Sequence, residues 1–410
     1  MNAQEIMKVF EDTAFPHTGG SDEELKVAHY IQDKMAKLGL ETTIEPFPVD
    51  MATMHKAVLT VDGKEITCKG YLCASSATVE APFYYMPSND PYSLSKCKGK
   101  IVLIDGYMGY WMYQDILENG AVGFITYDGN ANYADHNIDQ RELRSWVSKG
   151  NKIPGVNINA KDAIELIKNG ASSASIVLEQ DEYTGESRNV VLEMPGEVEE
   201  YIVFSAHYDS TSLSNGAYDN MSGSVGLMGI AEYFSNHPHH YGLKFVWCGS
   251  EERGLLGSKA YSEAHKDALD KAVLNVNLDM IGCIMGKFIY CVTGEERLCH
   301  YISYLGNEVG FPITGRQGVY SSDSTPFADH GVPAVSFARI APNNTATIHN
   351  SYDTLAVMSG RQMVEDIDFL VAFSQRMACA QRCPVDRKMP DNMKEKLDEY
   401  LCRKRPAPQN

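Results

Sequence analysis

The chain reads as an α/β protein, with a mostly parallel mixed sheet sandwiched by helices and a β-rich insertion interrupting it. Three observations predict this. Over residues 190–373 short apolar runs alternate with helical stretches, as they do when a parallel sheet is covered on both faces. Over residues 47–187 closely spaced β-rich runs separated by turn residues take over. An amphipathic helix precedes that stretch and suits the same sheet, so residues 1–46 and 188–380 form one discontinuous domain and 47–187 an insertion. Residues 381–410 form a charged, proline-containing tail.

Taken in order, residues 21–38 predict a helix: Leu25, Ala28, Ile31, Met35 and Leu38 recur at helical spacing. Ser21 with Glu24 suggests a capping box, and Gly39 a stop. In the insertion KAVLTV, APFYYM, KIVLID, GFITYD and SASIVLEQ read as strands, with helical pieces near 113–119 and 161–169. Tyr107, Tyr110, Trp111 and Tyr113 follow KIVLIDG. They are read first as the insertion's core or packing surface, and second as groups shaping substrate choice. Beyond it, YIVFSAHYD leads to a helix at 222–234 and KFVWCGS to one starting near 258; AVLNVNLDM, FIYCVT and AVSFAR are further strands. The tail predicts a surface helix over 391–403.

A length of 410 residues suggests two domains. The formal charge of −18 argues against nucleic acid as a partner. No run of 18 apolar residues marks a membrane span, and the opening MNAQEIMKVFEDTAF lacks the apolar core of a signal peptide. Ten cysteines without that signal, and without a CxxC pair, are expected as free thiols in a cytoplasmic protein. Cys248, inside an apolar strand, is expected in the core. Oligomeric state is not legible in the sequence.

Chemistry concentrates where several of these strands end. His207 lies in FSAHYDS, Asp219 in GAYDN, Glu251 and Glu252 in WCGSEERG, Asp279 in NLDMIG and His349 in IHNSYDT. Two imidazoles and three carboxylates, with one carboxylate to spare, suit a pair of zinc ions. Asp219, Glu252, Asp279 and a bridging hydroxide would balance two Zn²⁺ and leave Glu251 to handle protons. The set therefore points to a metallohydrolase.

Each residue also has a plainer reading. Asp219 is near a helix start, but Asn220 or Ser222 can cap instead. Asp209 is expected to orient the His207 ring. Glu295 and Glu296 repeat the paired-glutamate motif and are read as solvated. Asp323 and Asp329 are read as structural, Asp353 as orienting His349 or capping a helix, and His237, His239 and His240 as a solvated loop.

The order HYD, GAYDNMSG, SEERGLLGS, NLDMIG, SDSTPFADHGVPAVSF and HNSYDTL resembles the co-catalytic zinc aminopeptidases, a family that includes glutamate carboxypeptidases and glutaminyl cyclases. FPHTGGSDEELKVAHYIQDKMAKLGLE looks like the family's opening segment. CKGKIVLIDG, ENGAVGFITYDG and KIPGVNINAKDAIELIKNG resemble a protease-associated domain. The resemblance implies a zinc exopeptidase fold with Asp219 bridging two zincs, His207 and Asp279 completing one site, Glu252 and His349 the other. It assigns Glu251 as general base, acting through a bridging metal-bound hydroxide; Asp209, read above as the partner of His207, is counted with Glu251 among the catalytic residues. Peptides with a free N-terminus are the expected substrates, and neither nucleic acid nor membrane an expected partner. The alternatives are a carboxypeptidase, for which Arg316 and Arg339 are the candidate carboxylate anchors, a glutaminyl cyclase, and a non-catalytic binding protein on this fold.

Overall fold

The computed structural model describes residues 1–133 and 137–407; Ala134, Asp135 and His136 in the insertion and the last three residues of the tail lie outside the described residues. The chain divides into two units, Met1–Phe47 with Glu186–Asn410, and Pro48–Gly185. These borders fall within two residues of those expected. The small offsets arise because strands Thr42–Val61 and Ser173–Met194 run across both borders, with no turn to mark them.

The larger unit opens with helices α1 (Ala3–Asp12) and α2 (Asp22–Lys37). There follow β1 (Ser173–Met194), whose last part belongs here, β2 (Tyr201–His207), α3 (Ser222–Ser235), β3 (Gly242–Cys248), α4 (Leu256–Ala264) and β4 (Ala272–Leu278). Then come β5 (Lys287–Thr293), α5 (Arg297–Val309), β6 (Ile313–Gln317), α6 (Ser324–Asp329), β7 (Ala334–Ile340), α7 (Gly360–Ala378) and α8 (Asp391–Tyr400). In space the strands run β6-β5-β7-β4-β2-β3-β1. The central β7, β4, β2 and β3 are mutually parallel, whereas β1 and the β5-β6 pair run the other way.

Strand side chains alternate between the two faces, and here both faces are covered. Ile202, Phe204 and Ala206 of β2, with Leu243, Phe245 and Trp247 of β3, join one core cluster; Tyr201 and Val203, with Val246 and Cys248, join another. Each such side chain taken from water contributes about 1.5–3 kcal/mol, which fixes the register that brings the strand ends level.

At α2 the predicted capping box is half formed. Ser21 Oγ accepts the Glu24 amide at 3.0 Å. The Glu24 carboxylate, however, is wholly buried and accepts from Gly20 N and Ser187 Oγ instead. The tail forms the expected surface helix, Asp391–Tyr400, docked through one apolar edge. Met389, Met393 and Leu397, spaced four apart, bury against Ala328 and Ala334, and Arg403 grips Asp329 through two 2.6 Å bonds.

In the smaller unit, strands Thr78–Met86, Ile101–Ile104, Gly123–Asp128 and Gly155–Asn159 pair in parallel, in that order, and Cys68–Gly70 adds antiparallel. Helices Tyr110–Glu118 and Ala160–Lys168 accompany them, close to the helical pieces expected near 113–119 and 161–169, so strands and helices alternate within a β-rich unit. Tyr113 is fully buried there and Tyr110 nearly so, while Tyr107 is half exposed, with Arg141 and Arg144 over its ring. All ten cysteines are free, and Cys248 is buried in β3. Among the described residues no helix is long and apolar enough to cross a membrane.

Candidate metal centre

Parallel register sets the stage. Cys248, the last residue of β3, lies beside His207, the last of β2, and Asn277 of β4 lies beside Ser205. Residues just beyond these strands therefore emerge at one edge of the sheet, where open α/β sheets place their sites. His207 ends β2, Glu251 and Glu252 follow β3, and Asp279 follows β4.

Asp219 comes from the turn Ala217–Met221, whose Asp219–Asn220 peptide is cis. Asn220 takes the capping role at α3, accepting the Gly223 amide at 2.9 Å, and also accepts the Met280 amide at 3.0 Å. Asp219 is thus left to face the imidazoles. Its Oδ1 lies 3.2 Å from His207 Nε2 and its Oδ2 3.0 Å from His349 Nε2. His349 Nε2 is also 3.1 Å from Glu252 Oε1, and His207 Nε2 is 3.9 Å from Asp279 Oδ1. His349 rides on a loop with φ +60°; half its side chain meets solvent while Nε2 faces inward.

Two triads result, His207 with Asp219 and Asp279, and Asp219 with Glu252 and His349. In each, the donor atoms lie within 4.8 Å of one another. Asp219 belongs to both and presents a separate oxygen to each. The electrostatics fit cations. Burial pushes Asp279 up to about 7 against the pull of His207, with Asp219 adding to the rise. Burial likewise holds Glu251 well above the usual carboxylate range; His207 opposes this, while Glu252, Asp323 and Asp279 reinforce it. Asp219 alone is lowered, because hydrogen bonds from His207 and His349 outweigh its burial. Packing this many carboxylates in one buried place is costly without positive charge, and the donor set of imidazole nitrogens and carboxylate oxygens is one that zinc takes.

Glu251 stands apart from the triads, with Oε2 3.9 Å from His207 Nε2. Asp209 lies against the His207 ring and does more besides. Its carboxylate is 3.6 Å from His207 Nδ1, while its two oxygens accept the amides of Glu251 at 2.8 Å and Glu252 at 3.2 Å. The same ring nitrogen also meets the Asp209 carbonyl at 3.2 Å, so the residue holds the ring from two sides.

Asp353 neither orients His349 nor caps a helix. It accepts the amides of Tyr218 at 2.8 Å and Asp219 at 3.1 Å, and so holds the shared carboxylate's own backbone. Asp323 caps nothing either. It is wholly buried beside Ser258 and Cys248, and burial pushes it up to about 6 against the pull of His207. Asp329 is paired with Arg403, and His237, His239 and His240 bond to Tyr233, Tyr241 and Glu197 in turn, away from both triads.

Arg339 is not available as an anchor. It is 7% exposed, and its guanidinium is fully engaged with Asp366, at 2.5–3.1 Å, and with the Gly286 carbonyl. Arg316 lies exposed on β6.

With this geometry in hand, similarity to known proteins is informative. Residues 189–372 match the family described as Peptidase family M28. Aminopeptidase YwaD of Bacillus subtilis (strain 168) is 25% identical over 382 residues, spanning 87% of this chain and 80% of that protein. The probable lipoprotein aminopeptidase LpqL of Mycobacterium tuberculosis is 25% identical over 269 residues, 62% of this chain and about half (52%) of its own length. Among solved structures, BSAP, a zinc aminopeptidase from Bacillus subtilis, superposes with a TM-score of 0.78 at 23% identity, covering 95% of this chain and 97% of that one.

Proposed function

We infer that this chain, whose residues 189–372 belong to peptidase family M28, is a zinc-dependent aminopeptidase that works with two ions. The observation that carries the reading is Asp219, whose two oxygens each face a different imidazole within 3.2 Å. His207 and Asp279 would hold one ion, Glu252 and His349 the other, and Asp219 both. Zinc bound there would polarise a substrate carbonyl and bring the pKa of water toward neutrality.

The protein's own groups do the rest. Glu251 takes a proton from the attacking water as its oxygen bonds to the peptide carbonyl carbon. It then returns that proton to the departing amine nitrogen as the C–N bond breaks. Asp209 acts through Glu251, because its carboxylate fixes the amides of the Glu251–Glu252 turn. Recognition of the substrate's amine rather than its carboxylate is supported by the names of the relatives and by Arg339, whose charge is already used by Asp366. We read the smaller unit, Pro48–Gly185, as a protease-associated domain.

One dipeptide in three forms tests the direction of attack. The free and C-amidated forms should be cleaved at similar rates. N-acetylation should lower the rate by several orders of magnitude, since it ties the free amine's lone pair into an amide and so removes a metal ligand. Cleavage that survives acetylation but not amidation would leave the carboxypeptidase reading in its place.

A further inference from the structure

Glu251 and Glu252 sit on a turn that a side chain resists. Ser250, just before them, has φ +55°, in the left-handed region that residues other than glycine enter at a cost. From one side Asp209 holds the turn through the two amides already described. From another side it meets residues 17–24, a stretch whose only expected features were a helix cap and a family likeness.

Gly19 packs so closely there that a Cβ on it would lie 2.2 Å from Ser250 Oγ and 2.8 Å from Ser250 Cα. The second distance is to backbone, so no side-chain rotation relieves it. Its surroundings are pinned. His17 N donates to Ser210 Oγ at 3.0 Å, and Ser210 N donates back to the His17 carbonyl at 3.2 Å. Arg253, on the turn itself, donates to the Gly19 carbonyl at 3.3 Å. Glu24 accepts the Gly20 amide at 2.9 Å and Ser187 Oγ at 2.6 Å. The same carboxylate lies 2.6 Å from where a Cβ on Gly249 would stand, at the end of β3.

We propose that residues 17–24 are a positioning element for the general base, in which the bare backbone of Gly19 bears on Ser250 and sets where Glu251 points. The proposal rests on the reading of Glu251 as proton acceptor. A base must lie within hydrogen-bond reach of the proton it takes, and a misplacement of about 1 Å can cost on the order of 10² in rate. Gly19 touches neither substrate nor metal ligand in this scheme; it acts only through the turn.

The test is a cycle of G19A, S250G and the double variant on the zinc-loaded enzyme. G19A should lower kcat by on the order of 10-fold to 10²-fold, with KM and zinc content close to those of the parent; its overlap with the Ser250 backbone also lowers the melting temperature, so kcat is compared well below the transition. Hydrogen exchange at the Glu251 and Glu252 amides should quicken while strands β2 and β4 stay protected. Introduced into S250G, which removes the Oγ and Cβ that the new methyl would meet and lets the backbone shift more freely around φ +55°, the same G19A change should cost clearly less than in the parent, with the approach to the Cα of residue 250 leaving a residual loss. Parental kcat in G19A would overturn the proposal. So would an equal loss in both backgrounds, or a loss that follows zinc content. If the parent cleaves no peptide, the proposed activity fails, and the exchange rates still decide whether Gly19 positions the turn.

Discussion

At the scale of single residues, Glu251 and Glu252 are adjacent in the chain and face different groups, Glu252 toward His349 and Glu251 toward His207. Glu251→Gln should retain zinc and lose activity by a factor on the order of 10²–10⁴, the usual worth of a general base. Glu252→Gln should release zinc, and Asp219→Asn should release it most completely, since that carboxylate faces both imidazoles. Metal analysis beside kcat separates these outcomes; a parent protein holding one ion per chain would argue for the cyclase alternative. The clustered residues were legible because imidazole and carboxylate, placed after apolar runs, announce their chemistry. Asp353 was not. Its work is to accept two backbone amides, and nothing in the letters separates such an aspartate from a helix cap. Glu24 misled for the same reason: three residues after Ser21 it has the spacing of a capping box, yet it turns inward to Ser187.

At the scale of elements, the strands and the helices between them were readable from periodicity, because their alternating faces are buried on both sides. What periodicity hides is the bond between elements. Arg339 of β7 and Asp366 of α7, 7% and 0% exposed, form a buried pair, and Asp366 also accepts the Gly282 amide in the segment that follows Asp279. Read from sequence, Arg339 is a loose candidate for binding a carboxylate. In the fold, Arg339→Ala would leave Asp366 buried without its partner, which costs about 3–5 kcal/mol. Arg316→Ala, at an exposed position, should change stability by no more than about 0.5 kcal/mol. Urea unfolding of the two variants measures the contrast; equal midpoints would mean the pair contributes nothing. The tail's surface helix was legible, but its docking edge was not, since Met389, Met393 and Leu397 lie among acidic and basic residues, and only the packing on α6 and β7 shows which face is buried.

At the scale of the whole molecule, the two units can be judged by what each buries. The main core of the larger unit draws on residues 6–35 and 190–385 and that of the smaller on residues 59–178, with no member in common. A unit with its own core can in principle fold alone. Every residue of the two triads, and Glu251, lies between positions 207 and 349 of the larger unit. Replacing residues 48–185 with a short flexible linker should therefore yield a protein that unfolds cooperatively and binds as much zinc per chain as the parent. Activity is a separate matter, because the excised unit could still govern which peptides are accepted. Peptide hydrolysis that persists with altered preference would give that unit a selective role; hydrolysis lost with zinc retained would make it necessary for productive binding. A truncated protein that folds but no longer holds zinc would show that residues 48–185 supply a ligand, and the assignment of the centre to the larger unit alone would have to be withdrawn.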